Sequence, residues 1–211
     1  MARVHKSLNK SEYVRVAMEF VEEYGLAQLT MRALGEQMGV NPTAVYRHFP
    51  SKEVMIEAML DQMMAESAAI EPTGDSPRER ILSTALNLRS VFHAHPQLTT
   101  AFATAIGTYP NGLILTRRLI TELRAIGLKG SDLVEMYQTM ESFVMGSATF
   151  EAGGNPSAFE QRAQRYRVIN EPEFDVASSD SDTVKQVAHR GFILTLNLMI
   201  DESERIVSAY A

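Results

Sequence analysis

The sequence predicts an all-α protein, because apolar residues recur at helical spacing along most of its 211 residues. Two further observations support this fold class. No segment of useful length alternates apolar and polar residues as a half-buried strand does. Glycine, proline and capping residues divide the chain into nine predicted helices, with a clear break at residues 71–77. We expect an N-terminal domain of three helices over residues 1–52 and a C-terminal helical domain over residues 53–211.

The first predicted helix runs from about Lys10 to Tyr24. Asn9 and Glu12 have the spacing of a capping box, in which each side chain accepts a backbone N–H of the other residue. Apolar and aromatic residues follow at helical intervals, and Gly25 ends the series. The pattern therefore predicts an amphipathic helix with one buried face.

Two shorter helices follow, joined by a tight turn. Thr30 can cap the first of them, and Leu34 lies on its apolar face. Gly39 stands where this helix must stop, because glycine tolerates the left-handed conformation that ends helices. Asn41 is then a new cap, and Pro42 suits the first helical position, where a missing N–H is harmless. This order is typical of a helix-turn-helix.

The second helix of this motif spans Pro42 to His48 and is the candidate for insertion into a DNA major groove. Val45 and Phe49 are expected to turn inward and anchor it. Ser51 caps the next predicted helix, which begins at Lys52 and continues to about residue 68.

Residues 9 to about 60 resemble the N-terminal domain of the TetR (tetracycline-repressor) family of bacterial regulators. The matching residues are Glu23-Tyr24-Gly25, Leu29-Thr30-Met31-Arg32, Gly39-Val40, Val45-Tyr46-Arg47-His48-Phe49 and Ser51-Lys52-Glu53, in order and without a gap. Gly35 departs from the pattern, since such sequences more often carry alanine there. The resemblance implies a DNA-binding domain and a helical regulatory domain that forms a homodimer.

Both side-chain chemistry and the resemblance point to one set of DNA contacts. Thr43 and Ala44 are small enough to let the helix approach base edges. Arg47 is the best candidate for a guanine contact, although a phosphate contact fits it as well. The full predicted set is Thr30, Arg32, Asn41, Pro42, Thr43, Ala44, Tyr46, Arg47, His48 and Lys52, of which Tyr46, His48, Lys52, Thr30 and Arg32 are expected to contact the DNA backbone.

The charge distribution supports this interpretation. The whole chain has a net charge of −6, which is unusual for a DNA-binding protein. Residues 1–52, however, hold seven Lys or Arg against five Glu, a net charge of +2, whereas the remaining residues carry −8. A basic N-terminal domain joined to an acidic C-terminal domain can bind DNA through the N-terminal domain only.

Five more helices are predicted after the break. Their approximate bounds are Ile81–His95, closed by Pro96; Leu98–Ile106, stopped by Gly107 and Pro110; Leu113–Ile126; Ser131–Ala152; and Val184–Ala209. Residues 153–183 form a polar, irregular stretch, which is expected to be a functional lid or partly disordered. By resemblance, about residues 141–152 and 186–209 pair with a second subunit.

The family resemblance also implies a ligand cavity in the C-terminal domain. The predicted lining residues are Phe92, Phe102, Tyr109, Met136, Met140, Phe143 and Ser147, with Leu133, Tyr137 and Val144 beside them and Glu141 and Arg124 as possible polar anchors. For any one of these residues, a place in a plain hydrophobic core is a more common role than lining a cavity. Methionine suits adaptable cavity walls, and the chain has 12 of them.

Other classes of protein find no positive support. The chain has no cysteine and no HExxH motif, so we predict no metal site. It also lacks a G-x-S-x-G motif and a glycine-rich phosphate loop, and we predict no cofactor and no enzyme activity. No apolar run approaches the ~18 residues of a membrane span. Because the basic N-terminus lacks an apolar signal core, we predict a cytoplasmic protein.

These observations predict a homodimeric repressor that a small apolar or amphipathic effector releases from a palindromic operator in double-stranded DNA. One alternative is a helix-turn-helix regulator without a small-molecule effector, acting as an activator or controlled by a protein partner; a filled regulatory core favours it. A second alternative is a helical enzyme with a DNA-docking module, which turnover of a bound ligand favours.

Overall fold

The computed structural model describes residues 9–105, 107–152, 157–169, 171–177 and 180–210. These residues form eleven α-helices and a short 3₁₀ turn at Leu26–Gln28, and they contain no strand. The helices are α1 (Lys10–Tyr24), α2 (Met31–Met38), α3 (Pro42–His48), α4 (Lys52–Ala68), α5 (Pro77–Ala94), α6 (Pro96–Phe102), α7 (Pro110–Ile126), α8 (Gly130–Glu151), α9 (Ala158–Ile169), α10 (Pro172–Ala177) and α11 (Ser181–Ser208). The predicted all-α class is confirmed.

The first four helices begin where their capping residues predict. Asn9 Oδ1 accepts the Glu12 N–H at 2.9 Å, and Glu12 returns the bond to the Asn9 N–H at 2.8 Å. Thr30 Oγ1 accepts the Ala33 N–H at 3.0 Å and starts α2. Short-range hydrogen bonds decide these boundaries, and short-range sequence patterns therefore locate them.

Four of the described helices in the C-terminal part begin at a proline, the fourth being α10 at Pro172. Pro77, Pro96 and Pro110 occupy the first turns of α5, α6 and α7. The prediction that Pro110 stops a helix is therefore wrong, and α5 starts four residues before the predicted Ile81. Proline lacks a backbone N–H, but the first helical residues need no intrahelical partner for theirs. Proline consequently favours a helix start as well as a helix stop.

The described part of residues 153–183 is largely helical, contrary to the expected irregular stretch. It contains α9 and α10, and the side chains of Phe159 and Ala163 on α9 pack with Val184 on α11 in a small separate core. Because this polar segment has few apolar residues, their helical spacing is hard to recognise in the sequence. The segment was therefore predicted to be irregular. Residues 153–156, 170, 178 and 179 lie outside the described residues. The helix predicted to end at about Ile106 ends at Phe102, and Ile106 itself lies outside the described residues.

A continuous apolar core joins the two predicted domains. Helix α4 lies at its centre, where Met55 and Met59 are fully buried near α1 and Met63 and Met64 continue the core toward α5 and α7. A second cluster fills the space between α5, α7, α8 and α11. Within the described residues, every helix is too short or too polar to cross a lipid bilayer.

Candidate functional site

The turn between α2 and α3 has little room for larger residues. Gly39 ends α2 in the left-handed region, with φ of +65°, and the Val40 N–H donates to the Gly35 carbonyl at 2.9 Å. A Cβ added at Gly35 would lie 3.1 Å from the Val40 carbonyl oxygen and 3.3 Å from the Pro42 Cα. Alanine at this position requires the turn to move by a few tenths of an ångström. Glycine therefore allows the closest approach of the two helices.

Helix α3 is anchored to the core by one face. Val45 and Phe49 are fully buried. The Tyr13 ring of α1 lies 4.8 Å from the His48 ring and 6.4 Å from the Phe49 ring, centroid to centroid. The Lys10 ammonium lies over the Phe49 ring at 5.1 Å. These contacts fix the direction of the opposite face of α3.

That opposite face carries most of the predicted base-contacting residues. Thr43, Tyr46 and Arg47 are exposed, and Ala44 is partly exposed beside them. Asn41 is also exposed, but its Oδ1 accepts the Thr43 N–H at 2.9 Å, so it caps the helix. Pro42 occupies the first helical position. The structure thus brings small, polar and cationic side chains together at the start and outer face of one short helix.

Besides Asn41, four of the predicted contact residues are bound within the protein. Arg32 pairs with Glu36 on α2 at 2.9 Å, but both side chains are well exposed, so a phosphate can replace the glutamate at little expense in free energy. Lys52 Nζ donates to the Leu26 carbonyl at 3.1 Å and ties α4 to the 3₁₀ turn. Thr30 caps α2, and His48 is half-buried against Tyr13. Sequence patterns gave no sign of the Lys52 bond, which joins residues 26 positions apart.

A cavity of about 380 Å³ lies between α4, α5, α7 and α8, and we call it the effector cavity. Four of the predicted residues line it: Phe92, Phe102, Tyr109 and Met140. The Phe102 ring lies 6.0 Å from Phe92 and 5.3 Å from Tyr109, so the three rings form one aromatic wall. Most of the remaining lining is aliphatic, including Leu88 and Leu119.

Three predicted cavity residues lie elsewhere. Met136 packs in the second core cluster with Ile81, Leu123 and Ile200. Phe143 stacks on Phe192 of α11 at 5.2 Å. Ser147 is partly exposed and does not line the effector cavity. The possible anchor Arg124 is exposed and also lies outside it. The predicted face of α8 therefore contributes Met140 to the cavity but not Met136, Phe143 or Ser147.

The face of α8 that lines the cavity is displaced by one residue from the predicted face. It consists of Tyr137, Met140, Glu141, Val144 and Met145, which recur at the same three- and four-residue spacing as the predicted face. Spacing alone cannot choose between two apolar faces of a buried helix. The sequence did hold one indication of this face, since the hydroxyl of Tyr137 and the carboxylate of Glu141 lie on it among apolar residues.

The polar groups of the cavity are concentrated at Tyr137. The Tyr137 hydroxyl donates to the Glu141 carboxylate and lies 3.2 Å from the Thr116 hydroxyl. Burial and the hydrogen bond to Glu141 raise the pKa of the Tyr137 hydroxyl, so it remains a donor at neutral pH. Glu122 also lines the cavity, and Arg80 binds it through two N–H donors at 2.9 and 2.8 Å.

Helix α4 connects the cavity to the helix-turn-helix. Met64 of α4 lines the cavity, and Asp61 one turn earlier accepts the backbone N–H and the side-chain amide of Asn111 at 2.9 and 2.8 Å. At its other end, α4 is tied to the 3₁₀ turn by Lys52. Hydrogen bonds therefore link α4 to the start of α7 beside the cavity and to the 3₁₀ turn.

Helix α6 forms a second connection. Its residue Phe102 lines the cavity, while His95, just before its start, lies 3.8 Å from the Glu22 carboxylate of α1. His95 also lies 2.8 Å from the Glu66 carboxylate of α4. Burial raises the pKa of Glu22, although His95 and nearby backbone N–H groups oppose this. Three helices from both predicted domains therefore meet at this point.

In the part of the chain that the structure describes, no group of three His, Cys, Asp or Glu side chains is placed to hold a metal ion.

Two family models match most of the chain. Residues 14–59 match the model described as bacterial regulatory proteins, tetR family, and residues 71–202 match the tetracyclin repressor-like C-terminal domain. A curated HTH-type transcriptional regulator of Saccharopolyspora erythraea is 26% identical over 72% of this chain and 64% of its own length. The class A tetracycline repressor protein from transposon 1721 of Escherichia coli is 27% identical over 73% of this chain and 72% of its own length. The chain spans 60 to 66% of the length of the first three curated relatives it matches.

Solved structures show the same fold. ActR from Streptomyces coelicolor superposes with a TM-score of 0.73 at 22% identity, covering all of both chains. The same protein has been solved in complex with (S)-DNPA, with a TM-score of 0.68 over 95% of this chain and 98% of that one. BioQ has been solved with its double-stranded DNA operator, with a TM-score of 0.62 over 94% of this chain and 99% of that one. The family models cover the helix-turn-helix and the helical domain that holds the effector cavity, and the chain belongs to the TetR family of bacterial regulatory proteins.

Proposed function

We propose that this protein is a DNA-binding transcriptional repressor whose α3 enters the major groove of its operator. The observation that carries the proposal is the exposed face of α3, with Thr43, Tyr46 and Arg47 held outward by the buried Val45 and Phe49. A helix anchored on one face and bearing small, polar and cationic groups on the other fits the geometry of groove recognition. Curated relatives named as HTH-type transcriptional repressors support the same function.

We further propose that a second copy of the chain covers the outer faces of α8 and α11. Phe150, Leu194 and Leu198 are 66, 60 and 58% exposed there, a large apolar area for a free surface. Beyond its own helix, an added Cβ at Gly146 or Gly191 would meet no atom of the described residues within 4 Å, so a helix of a second chain can approach closely at both positions. A two-fold pair of chains would present two α3 helices to a palindromic duplex.

The effector cavity supports control by a small molecule. An apolar chamber with a few hydroxyl and carboxylate groups is typical of ligand sites in helical domains. Ligand entry would move the α7 and α8 walls, and the Asp61–Asn111 bonds would carry that movement into α4. Such coupling is typically ~1–3 kcal/mol and reciprocal, so operator DNA must weaken effector binding by the same factor. A filled core would have favoured a regulator without an effector.

Selection from a library of random duplexes tests the DNA-binding proposal. We expect the protein to enrich an inverted repeat whose half-sites are about one helical turn, ~34–36 Å, apart, or a multiple of it. The selected operator then allows base and phosphate contacts to be separated. Recovery of asymmetric single sites, or no enrichment at all, is incompatible with the proposed dimeric repressor.

Two variants and one control locate the contact surface. Thr43→Ala should relax discrimination at particular base pairs by ~1–3 kcal/mol. Lys52→Ala should weaken all duplexes alike and reduce the slope of log affinity against log salt by about one unit. Arg117→Ala, an exposed position on α7, serves as the matched control and should leave binding unchanged. If Thr43→Ala discriminates among operator variants as the wild type does, α3 is not the reading helix.

A further inference from the structure

A second cavity, of about 670 Å³, lies where the C-terminal ends of α5 and α8 meet α9 and the N-terminal half of α11. It shares no lining residue with the effector cavity among the described residues. The proposed repressor mechanism does not use it. We call it the cationic cavity, because its lining includes Arg89, Lys185 and Arg190 with two histidines and a single acidic residue, Glu151.

A buried ion pair forms part of its wall. Arg89 Nε and Nη2 lie 2.9 and 2.7 Å from Glu151 Oε2, and the two side chains are only 8 and 4% exposed. His93 Nε2 lies 2.7 Å from the same carboxylate oxygen. Among the described lining residues, the one acidic group is therefore already neutralised by donors of the protein, and it cannot balance the other cations.

The chemistry of the partner groups assigns a role to one ring nitrogen of each imidazole. Arg89 Nη1 lies 3.2 Å from His189 Nδ1. A guanidinium has donors only, so His189 accepts at Nδ1 and carries its proton on Nε2. His93 must donate from Nε2, because a carboxylate is an acceptor only. His189 therefore keeps one N–H donor that the ion pair does not use.

Two cations remain for a bound ligand. Lys185 pairs with the exposed Asp182 at 2.8 Å, both side chains are more than half exposed, and Glu160 of α9 is close enough to interact with Lys185 electrostatically. Arg190 is exposed. Exposed ion pairs contribute little free energy, so Lys185 can exchange Asp182 for another anion. Pro96, Ala158 and Phe159 add apolar walls. The effector cavity has the opposite character, since its charged lining residues are Glu122 and Glu141.

We propose that the cationic cavity binds a small organic anion, a carboxylate on a flat apolar body, through Lys185, Arg190 and the free N–H of His189. The apolar body would lie against Phe159, and the buried Arg89–Glu151 pair would hold the two histidines in place. This site is separate from the proposed effector site and selects ligands of the opposite charge. The regulatory domain would then bind a second class of ligand.

Calorimetric titration with 2-naphthoate and its neutral analogue 2-naphthamide tests the proposal on the intact protein. The two probes share one ring system, so the difference between them reports the charge. We expect 2-naphthoate to bind about tenfold more tightly or better, because hydrogen bonds to a charged group are stronger than neutral ones. Equal affinities, or no binding of 2-naphthoate at millimolar concentration, would overturn the proposal.

Substitutions then test whether 2-naphthoate binds in the cationic cavity. The double substitution Lys185→Gln and Arg190→Gln should weaken 2-naphthoate about tenfold and leave 2-naphthamide unchanged. Both positions are exposed, and circular dichroism checks that the variant is folded. Arg117→Gln is the control for loss of a surface charge, and Met140→Trp, which fills the effector cavity, should leave 2-naphthoate binding intact. An unchanged affinity in the double variant, or a lost one in Met140→Trp, would contradict the assignment. Operator binding is not the readout, so the result is independent of the proposed repressor function.

Discussion

Replacing Met136 and Met140 by tryptophan, one at a time, separates a filled core from a cavity wall. The two methionines lie one turn apart on α8 and are 8 and 1% exposed. Both belong to the second core cluster, but Met140 also lines the cavity of about 380 Å³ and Met136 does not. We therefore expect the larger indole to find space in the cavity at Met140 and to overpack the core at Met136.

The expected magnitudes differ accordingly. Overpacking a filled core typically costs ~1–3 kcal/mol of unfolding free energy. A protein of this length loses ~2–4 °C in Tm for each kcal/mol, so Met136→Trp should lower Tm by ~2–12 °C. Met140→Trp should lower Tm by no more than ~2–4 °C, because its ring enters empty volume.

Scanning calorimetry at one fixed protein concentration measures the first quantity, because the Tm of a dimer depends on concentration. Fluorescence of the neutral apolar probe N-phenyl-1-naphthylamine measures occupancy of the cavity. Met140→Trp should abolish the probe signal, and Met136→Trp should retain it. Equal destabilisation by both variants, with the probe still bound to Met140→Trp, would refute the assignment of the cavity.

Three further changes test other contacts. Asp61→Ala removes two hydrogen bonds to Asn111, should cost ~1–3 kcal/mol in thermal unfolding and should reduce the effect of an effector on operator affinity. Gly39→Ala places a side chain at φ of +65° and should cost ~1 kcal/mol, measured by urea unfolding. Glu151→Gln should cost ~3–5 kcal/mol at neutral pH, because Arg89 is left buried without its partner.

The last of these changes has a defined pH dependence. Burial raises the pKa of Glu151, but the hydrogen bonds and charges of His93 and Arg89 outweigh it, and the net pKa in the folded protein is lowered. A lowered carboxyl pKa stabilises the fold above the ordinary pKa of glutamate, and this contribution disappears as the pH falls through the folded value. The difference between wild type and Glu151→Gln should therefore shrink in acid. A difference that grows on acidification would contradict the charged pair.

Local hydrogen bonds made the DNA-binding part predictable from sequence. The Asn9 and Thr30 caps and the Gly39 turn involve residues within a few positions of each other, and each leaves a recognisable pattern. The anchoring of α3 follows from Val45 and Phe49, which are spaced to share one helical face. The sequence prediction of exposed Thr43 and Arg47 rests on the same periodicity.

The regulatory part was less predictable, because packing between distant helices decides it. Helix α8 is apolar on more than one face, so the same spacing fits Met136 with Phe143 and Tyr137 with Val144. Which face meets the cavity depends on α7 and α11. The cationic cavity depends likewise on Arg89, Glu151 and His189, which come from three different helices.

The spacing of the two α3 helices in the operator complex tests the central claim most directly. The chain has no cysteine, so Gln37→Cys, at an exposed position on α2, gives one unique site for a spin label. Pulsed dipolar spectroscopy of the labelled protein on its selected operator should give one narrow distance between chains. We expect it to agree, within the reach of the labels, with α3 helices ~34–36 Å apart or a multiple of that spacing. No dipolar coupling between chains, or a broad distribution unchanged by operator DNA, would contradict a dimer that places two recognition helices in successive major grooves.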